Sequence, residues 1–377
     1  MKVGVLTFHS AHNNGSVLQA YATQKAIEIL GYDCEIINFR LTAQEDFYSL
    51  YRNRFGKKNY LYDRLLLPFH RQRKEKWNKF EKFINNYMKL SGLSVYERTD
   101  LKEISRRYDV FISGSDQIWN NNVAELRCGE KDYTGVYYFD FLENEKLISY
   151  ASSVGNMKNE DIAERKELLD KYLFLSTREE CAREVLQKLL NRDVSLVVDP
   201  TFLLDGNEWG RLCSNIPLVK EKYVLLYSLG KPRNLIEWGN NLKIFAENNN
   251  LKVVSLNTFF PVMVPGVKNI LNAGPLDFLN LFRFADVICT DTFHGTAFSI
   301  NFRKPFYALG NKYYKDDIRK NEVLKRFGLT DRIIQDEAEL SLINSYSIDY
   351  SRAEKLIETD VQNSIEYLKK TLMQTNI

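Results

Sequence analysis

At 377 residues the chain is longer than one core ordinarily serves, and its 44% apolar and 13% aromatic content describes a folded protein of two domains, not a disordered one. A net charge of +3 excludes wholesale nucleic-acid binding, and five widely spaced cysteines with no C-x-x-C pair exclude a disulfide framework or a zinc site and fit a reducing compartment. No apolar run approaches the roughly 20 residues that span a bilayer, and M-K-V-G-V-L-T-F turns polar too soon for a signal peptide, so a cytoplasmic protein is expected.

Lys2 to Phe8 reads as the first strand of a parallel sheet. It leaves into a small, polar loop, His9 to Ser16, before a helix from Val17 to Leu30 that Gly31 stops, and Glu35 to Phe39 follows as the second strand. This βαβ opening lacks the G-x-G-x-x-G fingerprint, so Asn13, Asn14, Gly15 and Ser16 are either a ligand-facing helix start or an ordinary βα turn. Residues 47–90 break the rhythm. Arg52, Arg54, Lys57, Lys58, Arg64, Arg71, Arg73, Lys74 and Lys76 interleave there with aromatic side chains. A helical insertion is expected, and its basic surface is either a solvated face or a dock for anionic lipid or a lipid-linked diphosphate. Near an anionic surface each basic residue adds about 1 kcal/mol.

The sheet resumes at Tyr108 to Ser113 and ends in Gly114-Ser115-Asp116-Gln117, a ligand-loop composition. Lys146 to Ala151 is a further strand, Thr177 leads through Arg178 into a helix reaching Leu190, and Leu196 to Val198 ends in Asp199-Pro200-Thr201. Several strand ends therefore build one rim of a cleft. Residues 206–222, with Gly206, Gly210 and Pro217, read as a linker between a domain over 1–205 and a second over 223–348; 349–377 is a long helix packing back. In the second domain, Asp286 to Cys289 is a buried strand, and Thr290 and Asp291 turn the chain. A helix then runs from Thr296 to Phe302 until Pro305, with His294 and Gly295 at its start. Such a helix start offers N–H groups and partial positive charge to an anion.

Five blocks in order, N-N-G-S-V-L-Q-A-Y-A (Asn13 to Ala22), G-S-D-Q-I-W-N (Gly114 to Asn120), S-T-R-E (Ser176 to Glu179), D-P-T-F-L-L (Asp199 to Leu204) and T-D-T-F-H-G-T-A-F-S-I (Thr290 to Ile300), resemble the polysaccharide pyruvyl transferase family. The resemblance implies an α/β protein of two Rossmann-like domains facing across a cleft, GT-B-like, with no metal and no cofactor. It implies transfer of the enolpyruvyl unit of phosphoenolpyruvate, as co-substrate, onto two hydroxyls of a free or lipid-linked sugar in surface polysaccharide or cell-wall glycan synthesis, with release of phosphate, in the cytoplasm or at the inner face of the membrane. It places the donor on Arg178, His294 and Lys312, with Lys315 as rival; the helix start adds Gly295, and the loops of the opposing rim offer Asn13, Asn14, Gly15, Ser16, Ser115, Asp116 and Gln117 to the acceptor. His294 is the expected acid and Asp116 the expected base. One departure stands out: many members carry Arg where this chain has Thr292, so another group must hold the donor carboxylate. The alternatives are a GT-B-like glycosyltransferase using a nucleotide sugar and a non-catalytic glycan-binding relative.

Overall fold

The structure is a computed structural model that describes residues 1–50, 64, 66–92, 94–128, 131–230, 232–257, 260–310, 317–336, 338–343 and 345–375. The chain forms two compact units. The first comprises Met1–Pro68, Glu81–Leu203 and Thr359–Ile377, and the second Phe69–Phe80 and Leu204–Glu358.

In the first unit, β1 (Lys2–Leu6), β2 (Asp33–Ile36), β3 (Val110–Ser113) and β4 (Leu147–Ser149) make a parallel sheet in the order β2-β1-β3-β4. Between β1 and β2 runs α1 (Asn14–Ile29), which Asn13 caps by accepting from Gly15 N at 3.0 Å. Gly31, at φ 87, turns the chain out of that helix where a side chain would be strained. A short helix, α2 (Thr42–Tyr48), follows β2, and α3 (His70–Tyr87) lies within the basic insertion, belonging to the second unit up to Phe80 and to the first from Glu81. Of that insertion's cations, Arg52, Arg54, Lys57 and Lys58 lie outside the described residues, whereas Arg71 and Lys74 are exposed on α3. The α3 residues Phe83 and Ile84 are buried, so the helix covers core with one stripe and meets solvent with the other. A parallel pair, β5 (Ser176–Thr177) and β6 (Ser195–Leu196), flanks α4 (Glu180–Leu190). The core is aromatic: Trp119 stacks on Tyr138 at 5.3 Å, and Phe8 meets Tyr137 edge-on at 5.0 Å.

The second unit begins with helix rather than open linker. Within 206–222, α5 (Gly206–Leu212) carries a capping box in which Asp205 accepts from Glu208 N and Glu208 accepts from Asp205 N. Its sheet is built from β7 (Tyr223–Ser228), β8 (Lys252–Asn257), β9 (Val267–Asn269), β10 (Val287–Thr290), β11 (Phe306–Leu309) and β12 (Ile333–Ile334). All pairings are parallel, in the order β9-β8-β7-β10-β11-β12. Its longer helices include α6 (Pro232–Asn248), α7 (Pro275–Phe284), α8 (Phe293–Asn301) and α9 (Ile318–Arg326). Phe278 of α7 packs on Phe298 of α8 at 5.2 Å and on Tyr227 at 5.1 Å, which fixes α8 against the sheet.

The last helix, α10 (Ser351–Thr375), belongs to the second unit up to Glu358 and to the first from Thr359. Its later part is sewn to the first unit. Ser364 Oγ accepts from Val198 N at 2.9 Å, Tyr367 donates its hydroxyl to Ser149 O at 2.9 Å, and Lys146 Nζ donates to Thr375 O at 2.6 Å. No helix among the described residues is long and apolar enough to cross a membrane.

Candidate active site

In an open parallel sheet the ligand crevice opens at the carboxyl ends of the strands, where strand order reverses. The second sheet reverses between β7 and β10, and the loops that leave those two strands carry Ser228 and Asp291 to His294. Ser228 Oγ donates to Asp291 Oδ2 at 2.6 Å and Leu229 N donates to Asp291 Oδ1 at 3.1 Å, so Asp291 ties the two loops together. Burial pushes the Asp291 carboxyl above its ordinary value, against these hydrogen bonds and the charge of Lys320. Thr292 is the N-cap of α8; its Oγ1 accepts from Gly295 N at 2.8 Å and lies 3.1 Å from Thr290 Oγ1. A Cβ on Gly295 would stand 2.7 Å from Thr292 Oγ1 and closer still to Thr290 Oγ1, so only glycine fits this turn. His294 is buried in the first turn of α8, with its ring 5.1 Å from that of Phe293. Arg319 stands over the Phe293 ring at 5.8 Å and holds Asp317 at 2.7 Å, while Lys320 is buried and donates to Leu309 O. Lys312 and Lys315 lie outside the described residues.

The first sheet reverses between β1 and β3, and the loops leaving those strands hold the expected acceptor residues. Asp116 sits at φ 75, a left-handed conformation that a non-glycine residue adopts at a cost and that recurs at functional turns. Ser16 Oγ donates to its Oδ2 at 2.6 Å and Gln117 N to its Oδ1 at 2.8 Å. Arg178 comes to the same place. Its Nη1 donates to Ser115 Oγ at 3.1 Å and to Asp199, its Nε donates to Glu179 at 2.9 Å, and its Nη2 stands 3.7 Å from Asp116. Burial opposes the guanidinium's charge, but Asp199, Glu179 and Asp116 outweigh it and hold the proton more firmly than usual. Asn13 and Gly15 form the cap described above, and Gln117 Oε1 accepts from Asn120 at 2.7 Å. His9, in the same loop as Asn13, is driven down to about 4 by burial, against its bond to Asn38, and is neutral at physiological pH.

Thus Arg178, Ser115, Asp116 and Ser16 form one hydrogen-bonded cluster in the first unit, and His294 and Gly295 share one turn in the second. Three carboxylates surround Arg178, an arrangement that organises its own neighbours. Sequence reasoning left Asp291, Lys320 and Glu179 out of the site. Asp291 had a signal, since it stands in the T-D-T-F-H-G block beside the residues that were chosen. Glu125, whose carboxyl feels the charge of Asp116, had none: it is a lone polar residue in no motif. Among the described residues no group of His, Cys, Asp and Glu has the geometry to hold a metal ion.

Both sheets are those of an α/β protein of GT-B-like fold, and solved structures agree. Over 99% of its length the chain is similar to all of the UDP-GlcNAc 2-epimerase of Neisseria meningitidis bound to UDP-GlcNAc, with a TM-score of 0.57 and 11% identity. Over 98% it is similar to 90% of a putative UDP-N-acetylglucosamine 2-epimerase of Listeria monocytogenes, with a TM-score of 0.55 and 10% identity. The whole chain is similar to 95% of a UDP-N-acetylglucosamine 2-epimerase of Rickettsia bellii, with a TM-score of 0.53 and 11% identity. Identities this low make the likeness one of fold. No curated protein matches the chain. The chain belongs to the polysaccharide pyruvyl transferase family, whose model matches residues 13–313. It is a glycan-modifying transferase.

Proposed function

We propose that the protein moves the enolpyruvyl unit of phosphoenolpyruvate onto two hydroxyls of one sugar, forming a cyclic ketal and releasing phosphate. The family match over 13–313, which takes in every expected site residue except the rival lysine Lys315, carries this reading. The start of α8 suits the donor, because its dipole and its first N–H groups favour an anion. Gly295 serves by allowing the turn, since its own N–H is taken by Thr292. His294 delivers a proton to the methylene carbon, and C2 becomes the electrophile that a sugar hydroxyl attacks. The donor's carboxylate and phosphate hold that imidazole protonated against the opposing pull of the helix start. Lys312 or Lys315 supplies a further point charge to the donor. In this reading Arg178 positions Ser115 and Asp116 on the acceptor side. The reaction belongs to the cytoplasm and needs no metal; with a lipid-linked acceptor it takes place at the membrane's inner face, where the basic insertion docks.

Incubation with phosphoenolpyruvate and a sugar acceptor should release inorganic phosphate. His294→Ala should slow that release by about 100- to 10,000-fold, the range for a lost general acid. Unchanged release would refute the role given to His294. A second reading, a transferase using a nucleotide sugar, draws on the likeness to a structure bound to UDP-GlcNAc. A rise in melting temperature with UDP-GlcNAc and none with phosphoenolpyruvate would favour it.

A further inference from the structure

The pair β5–β6 is joined to the first sheet through Phe174. Ile148 bridges Phe174, Leu173 N donates to Leu147 O at 2.9 Å, and Ser149 N donates to Phe174 O at 3.0 Å. Among the described residues β6 is therefore the edge on this side. In a parallel ladder the backbone groups of successive residues point to opposite sides of the strand. Ser195 N donates inward to Leu175 O at 2.9 Å and Val197 N to Thr177 O at 3.0 Å, so Val194, Leu196 and Val198 turn theirs outward. Val198 N is met by Ser364 Oγ of α10 at 2.9 Å, and Val194 O by the Gln187 amide at 3.5 Å. Between them lies Leu196, part-exposed, whose N–H and C=O find no hydrogen-bond partner among the described residues.

This stretch of edge opens into a cavity of about 1090 Å³ whose other wall is the later part of α10. Both walls belong to the first unit. Leu173 and Met373 line it as apolar side chains left 51% and 55% exposed. Four cations, Arg183, Arg192, Lys369 and Lys370, line it against two acids, Asp193 and Glu366. Arg183 is held by Glu180, and Arg192 by neutral carbonyls, Tyr172 O at 2.6 Å and Leu169 O at 2.7 Å. The two lysines are exposed on α10. Natural sheet edges are blunted by charge on the strand itself or by a helix laid over it. Here the lysines stand across from the strand, and α10 closes on the edge at Val198, past Leu196.

We propose that this groove takes an extended, acidic segment of another protein, which adds to the sheet as a strand beside β6. The segment's backbone exchanges hydrogen bonds with the N–H and C=O of Leu196. Its apolar side chains, at every second position, lie on Leu173 and Met373, and its carboxylates meet Lys369 and Lys370. Main-chain bonds give such an addition its affinity, and alternate side chains give it selectivity. The surplus of positive charge decides the sign of the partner. It also argues against a second copy of this chain paired symmetrically through the same edge, which would set that surplus against itself. A compact anion would meet the lysines and leave the strand edge and the apolar flank unused, whereas a cavity of this size suits a short run of chain.

The test follows the fluorescence anisotropy of a labelled peptide alternating Glu with Val as the full chain is added. Binding should saturate, weaken as salt rises, and be absent for a peptide alternating Lys with Val. Lys369→Glu combined with Lys370→Glu should weaken it about tenfold and leave the melting temperature in place, since both side chains are exposed. Leu196→Pro, which removes an outward N–H and no ladder bond, should also abolish it. Methylating the peptide's backbone nitrogens at Glu alone, or at Val alone, tests the strand geometry with the protein untouched. One of these peptides should bind like the parent and the other not at all, because alternate N–H groups face β6. Binding that ignores which nitrogens are methylated, or that survives the double charge reversal, overturns the proposal. So does the absence of binding by the parent peptide at low salt.

Discussion

Arg178 has one positive charge and three acids around it, all within the first unit. Its fork is matched to them: Nε to Glu179, Nη1 to Ser115 and Asp199, Nη2 toward Asp116. Removing the cation would leave those carboxylates facing one another away from water. Arg178→Met should therefore cost about 3–5 kcal/mol, read as a fall in melting temperature or in the denaturant midpoint. The sign with pH follows. Without the guanidinium the folded-state carboxyls titrate above their unfolded values, so the loss should grow as pH rises from about 4 toward 7. Little of this was legible in the sequence. S-T-R-E points to Arg178 but not to its partners, because Ser115 and Asp199 lie 63 and 21 residues away and only the sheet brings them close. The pair of Asp116 and Ser16, 100 residues apart, was anticipated only as two loops on one rim.

Elements were easier to read, since hydrophobic period and punctuation are local properties. The strand expected from Asp286 to Cys289 runs one residue later, from Val287 to Thr290. The start of α8 was also visible, as Thr290 to Gly295 holds turn and cap residues ahead of an apolar run. Thr292 caps that helix, and its hydroxyl is engaged by Gly295 N. Thr292→Ala should lower stability by about 1 kcal/mol, and a melting curve should show a fall of about 2 °C or more. Strand order was beyond the sequence, because it depends on pairings such as Val287 with Val224 that no local pattern encodes. A composition read as linker also misled locally: Gly206 and Gly210 both lie within a capped helix.

The first unit is assembled from three separate stretches of chain, and 359–377 is the last of them. That stretch buries Leu368 and Leu372 completely and satisfies Val198 N through Ser364. Each fully buried leucine contributes about 1.5–3 kcal/mol, which is a large share of the stability of any domain. A chain ending at Glu358 should therefore lose its first unit while keeping its second: limited proteolysis should cleave within 1–68 and 81–203 well before 204–358. The same feature orders events at the ribosome. All of 204–358 leaves the exit tunnel ahead of Thr359, so the amino-terminal sheet, although made first, has to wait for its closing helix until after its neighbour's synthesis is done.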